Sequence, residues 1–339
     1  MTTATGRPGA DGAGRDGMPD MQVDAVTRLD DAQARAVAAL AEAATVADGV
    51  GPLSEHVLLH VRNGSPADED GHSPAHLLAH DQGRIVGYAH LDQSKPAEGV
   101  SAEVVVHPQA RRRGVGRALV AALRSAAGTG PLRLWSHGHL EAARDFAAAD
   151  GFTSVRELWQ MRRPLGADAP PLAPVSLPDG FAARTFHPGR DEQTWLSVNA
   201  RAFASHPEQG RMTLDDLLLR EAEPWFDPAG FILIEQVTPP PPALAAFHWT
   251  KVHGHDGGVH PPVGEVYVVG VDPSYQGSGL GRAVTLLGLH HLQDEGLTSA
   301  MLYVDGDNAA AVATYTRMGF ERTAADVMYS PAAHRSVQP

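Results

Sequence analysis

The chain repeats itself. Val106-His-Pro-Gln-Ala-Arg-Arg-Arg-Gly114-Val-Gly116-Arg117 aligns with Val271-Asp-Pro-Ser-Tyr-Gln-Gly-Ser-Gly279-Leu-Gly281-Arg282 at an offset of 165 residues, and Gly151-Phe152 recurs as Gly319-Phe320 at an offset of 168. A period that long does not belong to a solenoid, whose units are short; it is the mark of a duplicated domain. A length of 339 residues gives each copy enough chain to bury its own core. The expected division is a tail over 1–20, a first domain over 21–163, a Pro-rich linker over 164–178, a second domain over 179–330 and a tail over 331–339. Pro164, Pro170, Pro171, Pro174 and Pro178 fix φ and remove backbone donors, which suits a semi-rigid linker. A second run, Pro239 to Pro242, lies between two strand-like stretches and reads as a loop joining antiparallel strands.

Both copies carry the same order of elements. β-rich runs come first: 83–91 and 101–107 in the first copy, 231–237, 243–252 and 265–271 in the second. A Gly-rich loop follows, then an amphipathic helix over 116–127 or 281–295. Next come a strand (132–136 or 300–304), a second helix ending at Gly-Phe, and a last strand. Strands alternating with helices imply an α/β sheet with helices packed on it.

Composition removes several classes of function. Lys plus Arg total 27 against 40 Asp plus Glu, a net charge of −13, which opposes broad binding to nucleic acid or an anionic membrane. There is no Cys, so disulfides, zinc–thiolate sites and a cysteine nucleophile are excluded. No apolar stretch reaches the roughly 20 residues that span a bilayer, and residues 1–20 lack the apolar centre of a signal peptide. The expectation is a cytoplasmic protein. Of the eighteen His, His137 with His139, His253 with His255, and His290 with His291 are the densest groups. None has His-Glu-x-x-His spacing, so no metal is expected.

The chemistry points to the repeated loop. Arg111-x-x-Gly114-x-Gly116 and Gln276-x-x-Gly279-x-Gly281 each join a β-branched strand to a helix. Successive glycines let amide N–H groups converge, and the helix adds its unpaired N-terminal donors and partial positive charge. The result is a cradle for a pyrophosphate, with Arg111, Arg112, Arg113, Arg117 and Arg282 adding local charge. No Gly-Lys-Ser/Thr follows, so it is not a Walker loop, and no acidic residue stands where a dinucleotide fold needs one.

The strand, this loop, and a later helix reading Asn308-x-x-Ala311-x-x-x-Tyr315-x-x-x-Gly319-Phe320 resemble the GNAT acetyltransferase family. The resemblance implies two tandem domains, each a mixed, mostly antiparallel twisted sheet flanked by helices, and acetyl-CoA as co-substrate. It implies cofactor contacts at Val104, Val105, Val106, Arg112, Arg113, Gly114, Val115, Gly116 and Arg117 in the first copy. In the second they fall at Val269, Gly270, Val271, Gln276, Gly277, Ser278, Gly279, Leu280, Gly281 and Arg282, and on the later helix at Asn308, Ala309, Ala310, Ala311, Val312 and Ala313. In this family the strand before the loop splays from its neighbour, and N–H groups of 269–271 would polarise the thioester carbonyl.

The copies are unequal. At the offset of 168, Asn308 corresponds to Leu140 and Tyr315 to Ala147. A phenol with a reference pKa near 10 is protonated at neutral pH and is suited to protonate a departing thiolate, whereas a methyl group is not. Turnover is therefore expected in the second domain, with Tyr315 as acid and Glu265, through a water, as base; the first domain would be non-catalytic.

Asp48-Gly49-Val50, Ser205-His-Pro-Glu-Gln-Gly210, Phe247-His-Trp-Thr-Lys251-Val-His253 and Gly264-Glu265-Val-Tyr-Val268 narrow the likeness. They are similar to the tandem branch of the family that acetylates the cysteinyl amine of a glucosaminyl-inositol conjugate. On that resemblance Glu55, Glu208, Lys251, Glu265 and Tyr303 are the substrate contacts, the substrate lies between the domains, and the protein is a monomer. Carboxylates suit sugar hydroxyls and an ammonium, and Lys251 suits inositol hydroxyls. Lys251 is one of only two lysines, in a chain that otherwise uses Arg. The loop and helix fit equally well a tandem acetyltransferase for another amine (an aminoglycoside, a polyamine or a protein N-terminus), and a non-catalytic acyl-CoA sensor remains the reading from another class.

Overall fold

The computed structural model describes residues 21–63, 75–93, 100–128, 130–204, 207–254 and 261–332, with the side chains of 207 and 208 excepted. The expected tail at 1–20, residues 333–339 of the one expected at 331–339, and His255 lie outside the described residues; Pro331 is the last residue of a strand. The chain divides into two compact units, Met1–Thr153 with Met328–Pro339, and Ser154–Val327.

In the first unit β1 (Gln22–Val26) leads to α1 (Asp31–Asp48) and α2 (Glu55–Asn63). Then come β2 (Ala75–Asp81), β3 (Arg84–Asp92), β4 (Val100–Val106), α3 (Val115–Ala127), β5 (Leu132–Ser136) and α4 (Glu141–Ala149), with β6 (Phe152–Pro164) beginning at its end. The strands lie in the order β1-β2-β3-β4-β5, antiparallel until β4 meets β5 in parallel. Asp30 opens α1 with a reciprocal cap: its side chain accepts from the N–H of Gln33, whose side chain accepts from the N–H of Asp30. Val37, Leu40, Val57 and Val61 of α1 and α2 then pack with Leu78, Tyr88 and Val105 of the sheet. On α3, Val115 and Leu119 press against β3 at Gly87, where an added Cβ would lie 2.7 and 3.0 Å from them.

The second unit runs through β7 (Phe181–Thr185), α5 (Glu192–Ala202), α6 (Pro207–Gly210), α7 (Leu214–Glu221), β8 (Phe231–Gln236), β9 (Ala243–His253) and β10 (Val263–Val271). It continues with α8 (Leu280–Asp294), β11 (Ser299–Asp305), α9 (Ala309–Arg317) and β12 (Glu321–Pro331), whose residues from Met328 on belong to the first unit. Its strand order is β12-β6-β11-β10-β9-β8-β7. Again the sheet is mostly antiparallel, with β10 and β11 parallel. Leu286, Leu289 and Leu292 of α8 bury against Val266, Leu302, Phe320 and Met161, while Trp195, Phe231, Phe247 and Trp249 fill another core.

Two features depart from the sequence expectation. The first copy's last strand, β6, pairs antiparallel with β11 from Leu158↔Asp305 to Pro164↔Ser299, so the units part at Thr153 and Ser154 rather than within 164–178. The Pro-rich stretch is not a free linker. Leu165 is buried, its N–H donates to Thr298 O, and Leu172, Ala173 and Val175 pack on the second unit's core. Arg163 donates to Pro170 O and His290 bonds Ala173 O, so the carbonyls of a donor-poor segment are still satisfied. By contrast, β8 and β9 around Pro239–Pro242 do pair antiparallel.

Candidate active site

The two loops share one backbone design. Gly114 has φ 88° and Gly279 φ 85°, both left-handed, and each is the N-cap of the following helix. Two residues earlier the left-handed position is Gly277 (φ 79°) in the second loop and Arg112 (φ 63°) in the first. Arg112 therefore holds, at a cost of about 1 kcal/mol, a conformation glycine adopts freely. The first helical bonds run from Ala118 N to Gly114 O and from Ala283 N to Gly279 O, which leaves the amides of 115–117 and 280–282 without helical partners. Alternating left-handed residues ahead of a helix N-terminus aim N–H groups into one concavity, the arrangement that receives an anion.

The charge around the loops differs from expectation. Arg111 donates two 2.7 Å bonds to Asp48, and Arg113 donates at 3.0 Å to Asp81. Those two guanidiniums are held by carboxylates, while Arg112, Arg117 and Arg282 are exposed.

Each strand before the loop splays. β4 pairs with β5 only from Val100 to Glu103, and β10 with β11 only from Gly264 to Val266. Val104–Val106 and Val269–Val271 run on with that edge unpaired, as expected of segments whose amides are offered to a ligand. The second copy adds a bulge. Between Val266 and Val268 the β9–β10 register slips at Tyr267, whereas β3 and β4 pair without interruption. A bulge of this kind kinks the strand and re-aims its side chains.

The later helices differ as the sequence implied. Asn308 caps α9, its side chain accepting from Ala311 N at 3.0 Å, whereas Leu140 at the start of α4 makes no such bond. Ala311, Val312 and Tyr315 pack against the same core cluster as Val269. Tyr315 meets Phe320 edge-on with ring centroids 5.9 Å apart, and burial pushes its phenol up to about 12. It is thus protonated throughout the neutral range. Its counterpart Ala147 is a buried methyl.

Of the expected substrate contacts, the sheet of the second unit groups three. Glu265 lies opposite Lys251 on β9 and opposite Met301 on β11, two residues from Tyr303. Glu265 is only 6% exposed and Lys251 8%. The Lys251 ammonium sits 4.4 Å above the Trp225 ring and 5.2 Å from that of Tyr267, within cation–π range. Tyr267, turned by the bulge, also accepts from Arg220 Nε at 2.9 Å. Tyr303 is 40% exposed and its hydroxyl accepts from Gln160 at 3.1 Å; partial burial, and next the charge of Glu265, push it up to about 12. Glu55 begins α2 in the first unit. Glu208 lies in α6, and its side chain is outside the described residues.

Sequence reasoning missed three participants in this group. His253 closes the Phe247–His253 segment but was weighed for a role only as a metal ligand; its Nε2 lies 2.6 Å from Glu265 Oε2. Alternation along β9 was the available signal, since 249, 251 and 253 share a face. Tyr267 lies inside the Gly264–Val268 segment and Trp225 in no motif, but their meeting with Lys251 depends on the bulge. Among the histidines of the first unit, His60 and His90 lie 3.4 Å apart and His56 stacks edge-on with His60, an i,i+4 pair on α2 that the spacing search passed over.

A Gly-loop cradle, a splayed strand before it and a capped helix behind it, built once complete and once without its phenol, define an acetyl-CoA-dependent N-acetyltransferase made of two GNAT domains. Residues 194–320 match the acetyltransferase (GNAT) family and residues 72–154 a GNAT acetyltransferase domain. A mycothiol acetyltransferase of Thermomonospora curvata is 56% identical over 307 residues, covering 90% of this chain and 96% of that one. One from Catenulispora acidiphila is 53% identical, covering 92% and 99%. The chain belongs to the mycothiol acetyltransferase family. Among solved structures, a tandem GNAT protein from the clavulanic acid biosynthesis pathway has the same fold at TM-score 0.65 and 19% identity, covering 92% of this chain and 98% of that one. A GCN5-related N-acetyltransferase from Sphaerobacter thermophilus follows at TM-score 0.59 and 23% identity, covering 91% and 95%.

Proposed function

We propose that the protein transfers the acetyl group of acetyl-CoA to the cysteinyl amine of a glucosaminyl-inositol conjugate, giving mycothiol and CoA, with the chemistry confined to the second unit. The observation that carries this is the coincidence, in that unit alone, of the unpaired 269–271 edge, the glycine cradle, the protonated Tyr315 and the buried Glu265. The high identity to relatives named mycothiol acetyltransferases supports the choice of acceptor.

Acetyl-CoA would lie with its pyrophosphate on the amides of 277–282 and its pantetheine arm along the open edge of β10. Asn308 would fix the start of α9, which carries Tyr315. An ammonium has no lone pair, so Glu265 takes one proton from the acceptor, through a water, before attack. The amine then adds to the thioester carbonyl while backbone N–H groups of 269–271 hold the developing oxyanion. The C–S bond breaks, Tyr315 donates its proton to the sulfur, and the second proton lost by the nitrogen returns to the Tyr315 phenolate, leaving one proton on Glu265 to be released. Lys251, held by Trp225 and Tyr267, and Tyr303 would bind hydroxyls of the acceptor. The first unit retains the loop and the splay without the acid, so it serves as scaffold or as a non-reacting cofactor site.

The test is purified protein with acetyl-CoA and a panel of amines: the cysteinyl pseudodisaccharide, an aminoglycoside, a polyamine and a peptide N-terminus. Free CoA thiol should appear fastest with the pseudodisaccharide. Equal or faster release with another amine would reassign the acceptor, and no amine-dependent release would refute the enzyme reading.

A further inference from the structure

Thioester aminolysis starting from an ammonium releases one net proton per turnover. The ammonium and the thioester become an amide, a free thiol and H⁺. Tyr315 would return one proton to the sulfur, so the proton taken by Glu265 must leave by another route. Glu265 is 6% exposed and lies in the middle of the sheet, where water does not freely collect a proton. Among the described residues its polar neighbours are few. Lys251 faces it from β9 and is 8% exposed; an ammonium is a donor and takes no proton. Tyr303 on β11 feels its charge but is held protonated, with Arg162 and Asp326 beyond it. Tyr267 is engaged by Arg220.

The remaining neighbour is His253. Its Nε2 lies 2.6 Å from Glu265 Oε2, a short charge-assisted distance. The two side chains share a face of the sheet, because His253 pairs with Val263, two residues before Glu265. The imidazole reaches from the buried carboxylate to solvent, with 41% of its side chain exposed. β8 does not extend alongside it, since the β8–β9 ladder ends at Phe231↔Trp249. The first copy has no equivalent carboxylate. Counting back from the loops and allowing for the bulge, Ser101 occupies the place of Glu265, and both pair at the second position of the parallel ladder.

We infer that His253 is the proton outlet of Glu265, a positioning and relay residue that takes the proton the carboxylate has drawn from the acceptor amine and hands it to solvent. Nε2 accepts the proton from Glu265 Oε2 and Nδ1–H releases one to water; the neutral ring, now donating from Nε2–H to the ionised Glu265, regains its Nδ1–H tautomer by exchange with solvent before the next turnover. An imidazole is suited to this because one ring nitrogen can take a proton while the other releases one. The inference rests on the acetyl-transfer reading above, with Glu265 as base.

The experiment compares wild type, Glu265→Gln, His253→Gln and His253→Ala in CoA release with acetyl-CoA and the cysteinyl pseudodisaccharide, at low and high buffer concentration. His253→Gln keeps an N–H donor toward Glu265 but carries no exchangeable charge. Both His253 variants should lose about tenfold in kcat in dilute buffer near neutral pH, with KM for both substrates within twofold of wild type. Added imidazole should restore most of the loss in His253→Ala, because a small base replaces the missing carrier. A merely structural histidine gives no buffer-dependent rescue. Wild-type rates for His253→Gln in dilute buffer, or a loss that imidazole and buffer leave untouched in both variants, would overturn the relay. If Glu265→Gln retains full activity, or the wild type releases no CoA, it is the underlying acetyl-transfer reading that fails instead.

Discussion

Replacing His248 with asparagine should flatten the acid limb of the protein's stability curve. His248 lies on β9, fully buried, with Nδ1 3.0 Å from Val284 O. A carbonyl only accepts, so Nδ1 carries the hydrogen and Nε2 is bare. Nε2 is buried and has no hydrogen-bond partner among the described residues. A proton there would create a charge with no acceptor, in a site walled by Gly288 of α8 and facing His291. Burial accordingly lowers the pKa to about 4 from 6.5. The sign follows. Between those values the unfolded chain holds a proton that the folded chain refuses, so stability falls as pH drops through the window. Lowering the pKa from 6.5 to about 4 is worth about 3 kcal/mol in full, of which about 2 kcal/mol is felt by pH 5. The assay is urea unfolding at pH 7 and pH 5, followed by the fluorescence of the core residues Trp195 and Trp249. His248→Asn retains a donor to Val284 O and loses the titration; it is less stable at pH 7 for want of packing. Between pH 7 and 5 the wild type should lose about 2 kcal/mol more than the variant. Equal losses would refute the reasoning. His76 and His90, buried in the first unit and also held low by desolvation, titrate alike in both proteins and cancel.

Two further outcomes are expected. Gly87→Ala forces a Cβ to 2.7 Å from Val115 and 3.0 Å from Leu119, so α3 must shift from the sheet; thermal unfolding should show a loss of about 1–3 kcal/mol. Gly116→Ala and Gly281→Ala place a Cβ at ordinary contact, 3.4 Å from Phe146 and 3.5 Å from Val271, so both should fold. Only Gly281→Ala should raise the KM for acetyl-CoA, by about tenfold, and equal effects on turnover would contradict the division of labour between the copies.

Much of this molecule was legible from the repeat. A strand, a glycine turn and a helix are local events, so 231–237, 243–252 and 265–271 emerge as β8, β9 and β10 with ends moved by at most two residues. Asn308 and Leu140 announced which helix has a side-chain cap. What failed was nonlocal. The destination of β6 depends on which neighbour offers a free edge, and β11 lies far along the chain. The Pro-rich stretch concealed Leu165, Leu172 and Val175, whose burial outweighs the lack of backbone donors. Charge counting put Arg111 and Arg113 on the ligand, but Asp48 and Asp81 approach them only in the folded unit. The union of Glu265 with His253 requires the β9–β10 register, which a one-residue bulge alters and no motif encodes.

The central claim is that the Tyr315 phenol is the acid that lets the second copy react, where the first has the methyl of Ala147. Steady-state turnover of Tyr315→Phe, read beside calorimetric titration of acetyl-CoA, tests it most directly. The account predicts kcat reduced at least about a hundredfold with acetyl-CoA affinity within twofold of wild type, since general acid assistance is lost and the cradle is untouched. Wild-type turnover across the pH range by that variant would contradict it.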